Sequence, residues 1–174
     1  LLEYSRIGKL DFSKQKVQLD KLTMELFELQ DHSSNFTLTV EPITVNLPKV
    51  PLEIVLRNLI SNAIRHHDKG KGNITVTCED ASEIYLIKVI DDGPGIPPDL
   101  QDKAMEMFQT LKSRDEVEGS GMGLAMINKI LEHFSGRLEI HSDGENGTEM
   151  RITWPKNTKP LMVNSTSEKE TSSA

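Results

Sequence analysis

The sequence predicts an α/β fold of the α+β kind, a two-layer sandwich in which helices cover one face of a mixed β-sheet. Three observations favour this fold class. Segments with strand-like alternation interleave with segments of helical periodicity along the chain. Few connections between the strand-like segments are long enough for the crossovers that a fully parallel sheet needs. The length of 174 residues is close to that of one average domain, which can bury a single core without disulfides.

The N-terminal part of the chain predicts two helices and two strands. Apolar residues at approximate helical spacing in residues 1–11 indicate the last turns of a helix that begins upstream. Residues 16–19 alternate like a short strand, and Asp20 is a candidate N-cap for a helix over residues 20–29. Alternation over residues 36–40 predicts a second strand, which ends before a proline.

The centre of the chain contains the clearest helix. Pro51, after a loop marked by Pro48, suits the first position of that helix. Residues 74–78 and 83–90 alternate on either side of a short turn, which predicts a β-hairpin. The predicted apolar face of the helix consists of Leu52, Val55, Leu56, Leu59, Ile60, Ala63 and Ile64.

The C-terminal part predicts another helix and two closing strands. Residues 124–134 have helical periodicity, and Gly136 is the candidate C-cap. Residues 138–140 and 150–154 alternate and are joined by Asp-Gly and Asn-Gly turn residues. Residues 157–174 are polar and contain too little apolar surface to repay the entropy of ordering, so they predict a flexible tail.

Composition excludes several classes of function. The 20 Lys+Arg against 27 Asp+Glu give a formal charge of -7, which argues against a nucleic-acid partner because phosphates need a basic surface. The single Cys78 cannot form an internal disulfide and excludes cysteine-clustered metal sites. No apolar run approaches the roughly 20 residues that span a bilayer. These features favour a cytoplasmic domain, whether or not the full-length protein is anchored in a membrane.

A polar stripe borders the apolar face of the central helix. Asn58, Asn62 and Arg65 recur at helical spacing. An amide oxygen is a hard, neutral ligand that suits a Mg²⁺ ion coordinated mainly by nucleotide phosphates and water. A guanidinium can hold a phosphate oxygen. The alternative is that these side chains are ordinary polar residues at the rim of a helix.

An aspartate and two glycines follow the second strand of the hairpin. Asp91 shares one strand face with Ile87 and Val89, so an inward orientation would carry its carboxylate into an apolar floor. Such a carboxylate needs a donor, and the exocyclic amino group of a purine would supply one. Gly93 and Gly95 would let the base approach the backbone. An Asp-Gly turn between two strands is the alternative.

A run of alternating glycines leads into the C-terminal helix. Gly119, Gly121 and Gly123 allow successive N–H groups to point to one side, and the helix N-terminus adds partial positive charge. The run therefore predicts a phosphate cradle. It is not a dinucleotide-binding fingerprint, because the preceding segment is charged and lacks strand character. A flexible lid joint is the alternative.

The order and separation of these motifs resemble those of sensor histidine kinases. The N, first glycine, F, second glycine and terminal Gly-Thr boxes of that family resemble, in this order, residues 58–65, 91–95, 107–108, 119–123 and 147–148. The resemblance covers about residues 12–155. It implies the Bergerat-type ATP-binding fold of gyrase-type ATPases and heat-shock chaperones. Residues 12–156 would form the catalytic domain, and residues 1–11 the end of a dimerisation helix.

The resemblance also implies a role for each matching residue. Asn62 would be the Mg²⁺ ligand, Asn58 a supporting polar contact and Arg65 a phosphate contact. Asp91 would accept from the adenine amino group, and Thr148 would lie under the adenine end. The residues implied to shape the base pocket or cover the triphosphate are Gly93, Gly95, Ile96, Gly119, Gly121, Met122, Gly123 and Leu124.

Asn58 distinguishes between relatives of this fold. In the ATP-hydrolysing members, the residue four positions before the metal-binding asparagine is usually a glutamate that activates water. The resemblance therefore implies transfer of the γ-phosphoryl group of Mg-ATP to a histidine rather than hydrolysis. Mg²⁺, Arg65 and the lid cations Lys112 and Arg114 would neutralise charge during that transfer. Leu111 and His66 stand where the family commonly has aromatic rings.

None of the five histidines fits the context of a phosphoacceptor. The resemblance implies that the acceptor lies upstream, on a dimerisation domain of the same polypeptide or its homodimer partner, and that a response regulator is a further partner. The alternatives are a serine kinase of the same fold that acts on a regulatory protein, an ATPase, and a module that binds nucleotide or proteins without transfer. The N-terminal helix remnant argues against the first, and Asn58 argues against the second.

Overall fold

The structure of the protein, a computed structural model, describes residues 12–109 and 122–157, and their side chains over residues 12–104 and 126–157. The predictions for residues 1–11, for the tail beyond residue 157 and for four lid residues lie outside this part of the chain. The four lid residues are Lys112, Arg114, Gly119 and Gly121.

Strands and helices alternate through the described residues, as the sequence predicts. The strands are β1 (Lys14–Gln18), β2 (Phe36–Val40), β3 (Thr44–Pro48), β4 (Gly72–Asp80), β5 (Ile84–Asp91), β6 (Arg137–His141) and β7 (Thr148–Pro155). The helices are α1 (Leu19–Glu28), α2 (Lys49–Arg65), α3 (Pro98–Gln109) and α4 (Met122–His133), with a short 3₁₀ turn at Ser33–Asn35.

The main sheet is mixed, which confirms the predicted fold class. Its strand order is β2-β4-β5-β7-β6, and β1 and β3 form a separate antiparallel pair. The pair β2 and β4 is parallel, and the remaining neighbours are antiparallel. The chain needs a long crossover between parallel strands, and β3 and α2 provide it. The predicted hairpin corresponds to β4 and β5.

The core lies between one face of the sheet and the helices. The seven apolar residues predicted for the central helix are all buried on α2, which packs against α1, α4 and β5. Ile87 and Val89 of β5 and Trp154 of β7 face this layer and are buried. The opposite face of the sheet is charged, as the ion pairs of Glu149 with Lys88 (3.3 Å) and Arg151 (2.6 Å) illustrate. Helices thus cover one face.

Several local predictions are wrong at the helix N-termini. Helix α2 begins at Lys49, so Pro51 is its third residue rather than its first. Proline fits there because the N–H groups of the first turn have no partner within the helix. Pro48 ends strand β3, which the sequence analysis assigned to a loop. Asp20 lies inside the first turn of α1 and Gln18 is the N-cap, so Asp20 contributes negative charge near the helix N-terminus instead of a cap.

Helix α4 ends in a different way from the one predicted. Ser135, with φ 58, adopts the left-handed conformation expected of Gly136. The amide of Gly136 donates to the carbonyl of Leu131 at 2.7 Å and that of Ser135 donates to Glu132 at 3.0 Å, which is the Schellman pattern. Gly136 is required for space, because a Cβ there would lie 2.5 Å from the carbonyl oxygen of Thr153.

Two glycines separate the effect of backbone conformation from that of close packing. Gly147 and Gly70 both have positive φ, 89 and 62. A Cβ on Gly147 would lie 1.9 Å from the carbonyl oxygen of Asp91, whereas one on Gly70 meets nothing within 4 Å. We expect Gly70→Ala to lower the free energy of unfolding by about 1–2 kcal/mol. Gly147→Ala should lower it by roughly 1–3 kcal/mol more, because backbone must move. Urea unfolding measures both values, and equal losses would contradict the role of close packing.

Candidate active site

Asp91 is the last residue of β5, at the end of a buried apolar strand face. Ile87 and Val89 on the same face are 0% and 2% exposed, and Asp91 itself is half-buried. Its carboxylate accepts hydrogen bonds from the backbone amides of Gly93, at 2.9 Å, and Thr148. Thr148 is buried and pairs with Asp91 across the β5–β7 ladder. The strand and its neighbour therefore hold the carboxylate in a fixed direction.

This carboxylate has capacity for a further donor. An ionised carboxylate offers about four lone-pair sites, and two backbone amides contact that of Asp91. Burial has the largest influence and raises the pKa of Asp91 above its ordinary value, against the opposing effects of the two amides and His67. A raised pKa is characteristic of a carboxylate whose charge is incompletely compensated. The amino group of an adenine base would supply such compensation.

The loop after Asp91 leaves space beside its carboxylate. A Cβ on Gly93 would lie 2.9 Å from Oδ1 of Asp91. Gly95 has φ 75, and a Cβ there would lie 2.7 Å from Oγ of Ser142. The amide of Ile96 donates to the same Oγ at 2.9 Å. Glycine at both positions thus allows the loop to lie close to the sheet end and to Ser142.

Two residues without a recognisable motif fix this loop. Ser142 donates from Oγ to the carbonyl of Gly147 at 2.7 Å. Gln101, on α3, donates from Nε2 to the carbonyls of Ile96 and Ser142, both at 2.8 Å. These bonds join the loop, α3 and the β6–β7 connection. Neither residue is predicted from the sequence, because a single serine and a single glutamine carry no pattern that predicts such contacts.

Asp92 points away from Asp91 and is anchored by three donors. Asn73 donates to it from its backbone amide and from Nδ2, both at 2.8 Å, and Nε2 of His67 lies 3.0 Å from Oδ1. Burial raises the pKa of Asp92, but the bonds from Asn73 and His67 outweigh burial and lower the pKa to about 2. The sequence motif predicts a role for Asp91 alone. Strand alternation, which places adjacent side chains on opposite faces, was the available signal for Asp92.

Helix α2 carries Asn58, Asn62 and Arg65 along one side. Asn58 is half-buried and donates from Nδ2 to the carbonyl of Ile54 at 2.7 Å. Asn62 is half-buried, and its amide oxygen is a ligand of the kind that Mg²⁺ accepts. Arg65 is exposed in the last turn and donates to Oγ of Ser61 at 3.3 Å. The structure therefore places these three residues on one helix. It brings Asp91, Gly93 and Thr148 together through hydrogen bonds.

The start of α4 supplies the remaining described site residues. Met122, Gly123 and Leu124 are its first three residues. The backbone N–H groups of a first helical turn have no partners within the helix, so this end of α4 suits an anion. Helix α4 packs against both α2 and α3. The F box residues Met107 and Phe108 fall in the last turn of α3.

Within residues 12–109 and 122–157, no group of three or more His, Cys, Asp or Glu residues is arranged to hold a metal ion. No helix there has the length and apolar character needed to cross a membrane.

Comparison with known proteins decides the family. Residues 48–158 match the family described as "Histidine kinase-, DNA gyrase B-, and HSP90-like ATPase". The chain belongs to this family. The match includes the described residues of the site, from Asn58 on α2 to Thr148 on β7. Proteins of this ATPase family use nucleotides. A nucleotide therefore fits the half-buried carboxylate of Asp91 and the loop that contains Gly93 and Gly95.

Individual relatives place the chain among histidine kinases. Cyanobacterial phytochrome A of Nostoc sp. is 31% identical over 89% of this chain and 21% of that protein. The histidine protein kinase SaeS of Staphylococcus aureus is 30% identical over 80% of this chain and 43% of that protein. The catalytic domain of histidine kinase ThkA is 27% identical, with a TM-score of 0.65, over 83% of this chain and 96% of that domain. The chain thus spans less than half the length of each curated relative, the phytochrome and SaeS.

The low pKa of Asp92 predicts how stability depends on pH. A group whose folded pKa lies below its unfolded value of about 3.9 stabilises the fold above that value. Its contribution is lost as the pH falls through the folded pKa of about 2. We therefore expect Asp92→Asn to cost about 1 kcal/mol or less at neutral pH, because the side chain is 48% exposed and screened by solvent. Urea unfolding of both proteins near neutral pH and in acid should show this difference shrinking; a difference that grows in acid would contradict the assignment.

Proposed function

We propose that this chain is the ATP-binding catalytic part of a sensor histidine kinase. In this proposal residues 12–156 are the catalytic domain, and residues 1–11 belong to the upstream dimerisation domain. The domain binds Mg-ATP and supplies its γ-phosphoryl group to a histidine on an upstream dimerisation domain. Family membership and the similarity to the histidine protein kinase SaeS support this proposal.

One observation carries the assignment of the base pocket. Asp91 is held by two backbone amides at the end of a buried strand face, and its carboxylate retains acceptor capacity. The exocyclic amino group of adenine is a donor that a guanine base lacks at the same position. Asp91 therefore binds and orients the base, Gly93, Gly95 and Ile96 form its walls, and Thr148 lies beneath it.

The helix α2 residues and the start of α4 serve the phosphate end of the nucleotide. Asn62 holds Mg²⁺ through its amide oxygen, and that ion neutralises phosphate charge when bound. Arg65 contacts a phosphate oxygen. The first-turn amides of α4, at Met122, Gly123 and Leu124, together with Gly119 and Gly121, cover the triphosphate. Lys112 contributes positive charge from the lid.

Asn58 favours transfer to a protein over hydrolysis. An amide cannot take a proton from water as a carboxylate base does. The Nδ2 group of Asn58 is also engaged with the carbonyl of Ile54. The γ-phosphoryl group of bound ATP is therefore transferred to a nucleophile from outside this domain. That nucleophile is the upstream histidine. The similarity to histidine kinases supports two further parts of the proposal: the full-length protein acts as a homodimer, and this domain works in the cytoplasm, whether or not the protein is membrane-anchored. The phosphoryl group then passes to a response regulator.

Asp91→Asn tests the base pocket directly. The substitution keeps the shape of the side chain, but the new NH₂ group can face the amino group of adenine. We expect the affinity for a nonhydrolysable ATP analogue with Mg²⁺ to fall by on the order of 1–3 kcal/mol in calorimetric titration. Omitting Mg²⁺ should weaken binding by the unmodified chain as well, since Asn62 holds the ion.

Asp80→Asn is the matched control for this titration. Asp91 pairs with Ile74 near the start of β4, whereas Asp80 is the last residue of β4 and pairs with Lys156. The same substitution at Asp80 should therefore leave nucleotide affinity unchanged. Equal affinities of Asp91→Asn and the unmodified chain would remove Asp91 from the pocket. No binding by the unmodified chain would overturn the proposed function itself.

Phosphoryl transfer is tested in a longer form of the protein that includes the upstream helix. With Mg-ATP labelled at the γ-phosphate, we expect a phosphoprotein whose label is stable in alkali and lost in acid, as phosphohistidine is. Asp91→Asn in the same form should reduce its rate of formation by roughly 5- to 150-fold, following the loss of affinity at limiting nucleotide. An acid-stable label would indicate a serine kinase, and release of phosphate without labelling would indicate an ATPase.

A further inference from the structure

We infer that His67 is a positioning residue for the adenine end of the nucleotide site: it holds Asp92 and thereby the turn that presents Asp91. The inference rests on the proposed function, because it assumes that Asp91 meets the base. His67 follows the last turn of α2, and its side chain is 2% exposed. The neighbouring His66, in contrast, is exposed.

The hydrogen bonds of His67 define which nitrogen carries the proton. Nδ1 accepts from the backbone amide of Lys69 at 3.2 Å, so in the neutral ring the proton is on Nε2. Nε2 lies 3.0 Å from Oδ1 of Asp92 and donates to it. Both nitrogens of the imidazole are therefore engaged, and Oδ1 of Asp68 lies 3.4 Å from Nδ1.

The surroundings are shaped to let these two groups meet. A Cβ on Gly72 would lie 2.3 Å from Oδ1 of Asp92 and 2.4 Å from Nε2 of His67, so only glycine permits the contact. The imidazole and the ring of Phe36 pack in a T-shaped arrangement, with ring centroids 5.4 Å apart and planes at 76°. A buried ring with an apolar neighbour and a polar contact at each nitrogen is well fixed in orientation.

The contact reaches the base pocket through the backbone of the turn. Asp92 directly follows Asp91, and its amide donates to the carbonyl of Asn73 at 3.3 Å. A Cβ on Gly93 would lie 3.5 Å from Cδ2 of His67, so the imidazole borders the residue whose amide holds the Asp91 carboxylate. His67 therefore limits the movement of Asp91 and Gly93 without contacting the base.

The same contact joins the two ends of the proposed site. Asn62 and Arg65 lie on α2 immediately before His67, and Asp91 ends β5. The bond between His67 and Asp92 links the helix that serves the phosphates to the turn that serves the base. Loss of this link should weaken recognition of the base while contacts to the phosphates persist.

The test compares three substitutions in calorimetric titrations. His67→Phe keeps a ring beside Phe36 but removes the donor, His67→Gln keeps a donor nitrogen, and His66→Phe repeats the first change at the exposed neighbour. With a nonhydrolysable ATP analogue and Mg²⁺, we expect His67→Phe to raise Kd roughly tenfold, because Asp91 is no longer held in its binding orientation before the base arrives. His67→Gln should stay within about threefold of the unmodified chain, and His66→Phe should match it.

Selectivity distinguishes positioning from general loss of structure. His67→Phe should reduce the preference for the ATP analogue over the corresponding GTP analogue, and should change the affinity for Mg-tripolyphosphate by less than about twofold. Partial unfolding would instead lower the number of sites per chain at constant Kd, and that result would overturn the inference. Equal effects of His67→Phe and His67→Gln would also overturn it.

Gly72→Ala provides a second route if His67→Phe fails to fold. It leaves the histidine in place but pushes the imidazole and the carboxylate apart, and it should raise Kd for the ATP analogue as His67→Phe does. An unchanged Kd in Gly72→Ala would overturn the inference. If Asp91→Asn loses affinity while the His67 and Gly72 variants do not, the proposed function stands and the positioning role falls. If the unmodified chain binds no nucleotide, both fall.

Discussion

The half-buried carboxylate of Asp91 is the constraint on which the rest of the site depends. It lies at the end of the β5 face that also carries Ile87 and Val89, and burial raises its pKa. Its position is maintained by the pairing of β5 with β7, where Thr148 lies opposite it and donates its amide. That pairing requires Gly147, since any Cβ there would overlap the carbonyl of Asp91. The strand order, the turn glycine and the polar group thus form one arrangement.

Periodicity predicts the elements that form the core, because the spacing of apolar residues along a segment indicates which side chains are buried. All seven apolar residues predicted for α2 are buried, and the β4–β5 hairpin has the predicted antiparallel pairing. Strand β3 was missed because its proline indicated a loop, although a proline at the last position of a strand costs little. Helix α3 was missed because its composition is polar on average, although Leu100, Ala104 and Phe108 recur at helical spacing.

From residue patterns alone, the site was predicted only where its residues are close in sequence, and Thr148 was added only by the family resemblance. Asp91, Gly93 and Gly95 form one motif, and Asn58, Asn62 and Arg65 another. The residues that hold these motifs in place act across distance in the chain: His67 is 25 residues from Asp92, and Ser142 is 46 residues from Ile96. Such contacts arise from sheet order and loop path, which a single sequence does not specify. The identities of these residues do not predict the contacts either, since serine and histidine serve many local roles.

The two adjacent aspartates show how one turn can satisfy opposing requirements. Asp92 has three hydrogen-bond contacts, two from Asn73 and one with His67, and its pKa falls to about 2. Asp91 has fewer donors, and its pKa rises. A turn in which both carboxylates were saturated would be rigid but would offer nothing to a ligand. A turn in which neither was saturated would combine two poorly compensated charges with a mobile backbone. Strand alternation separates the two functions by one residue: the outward carboxylate fixes the turn, so the inward one can remain available to the ligand.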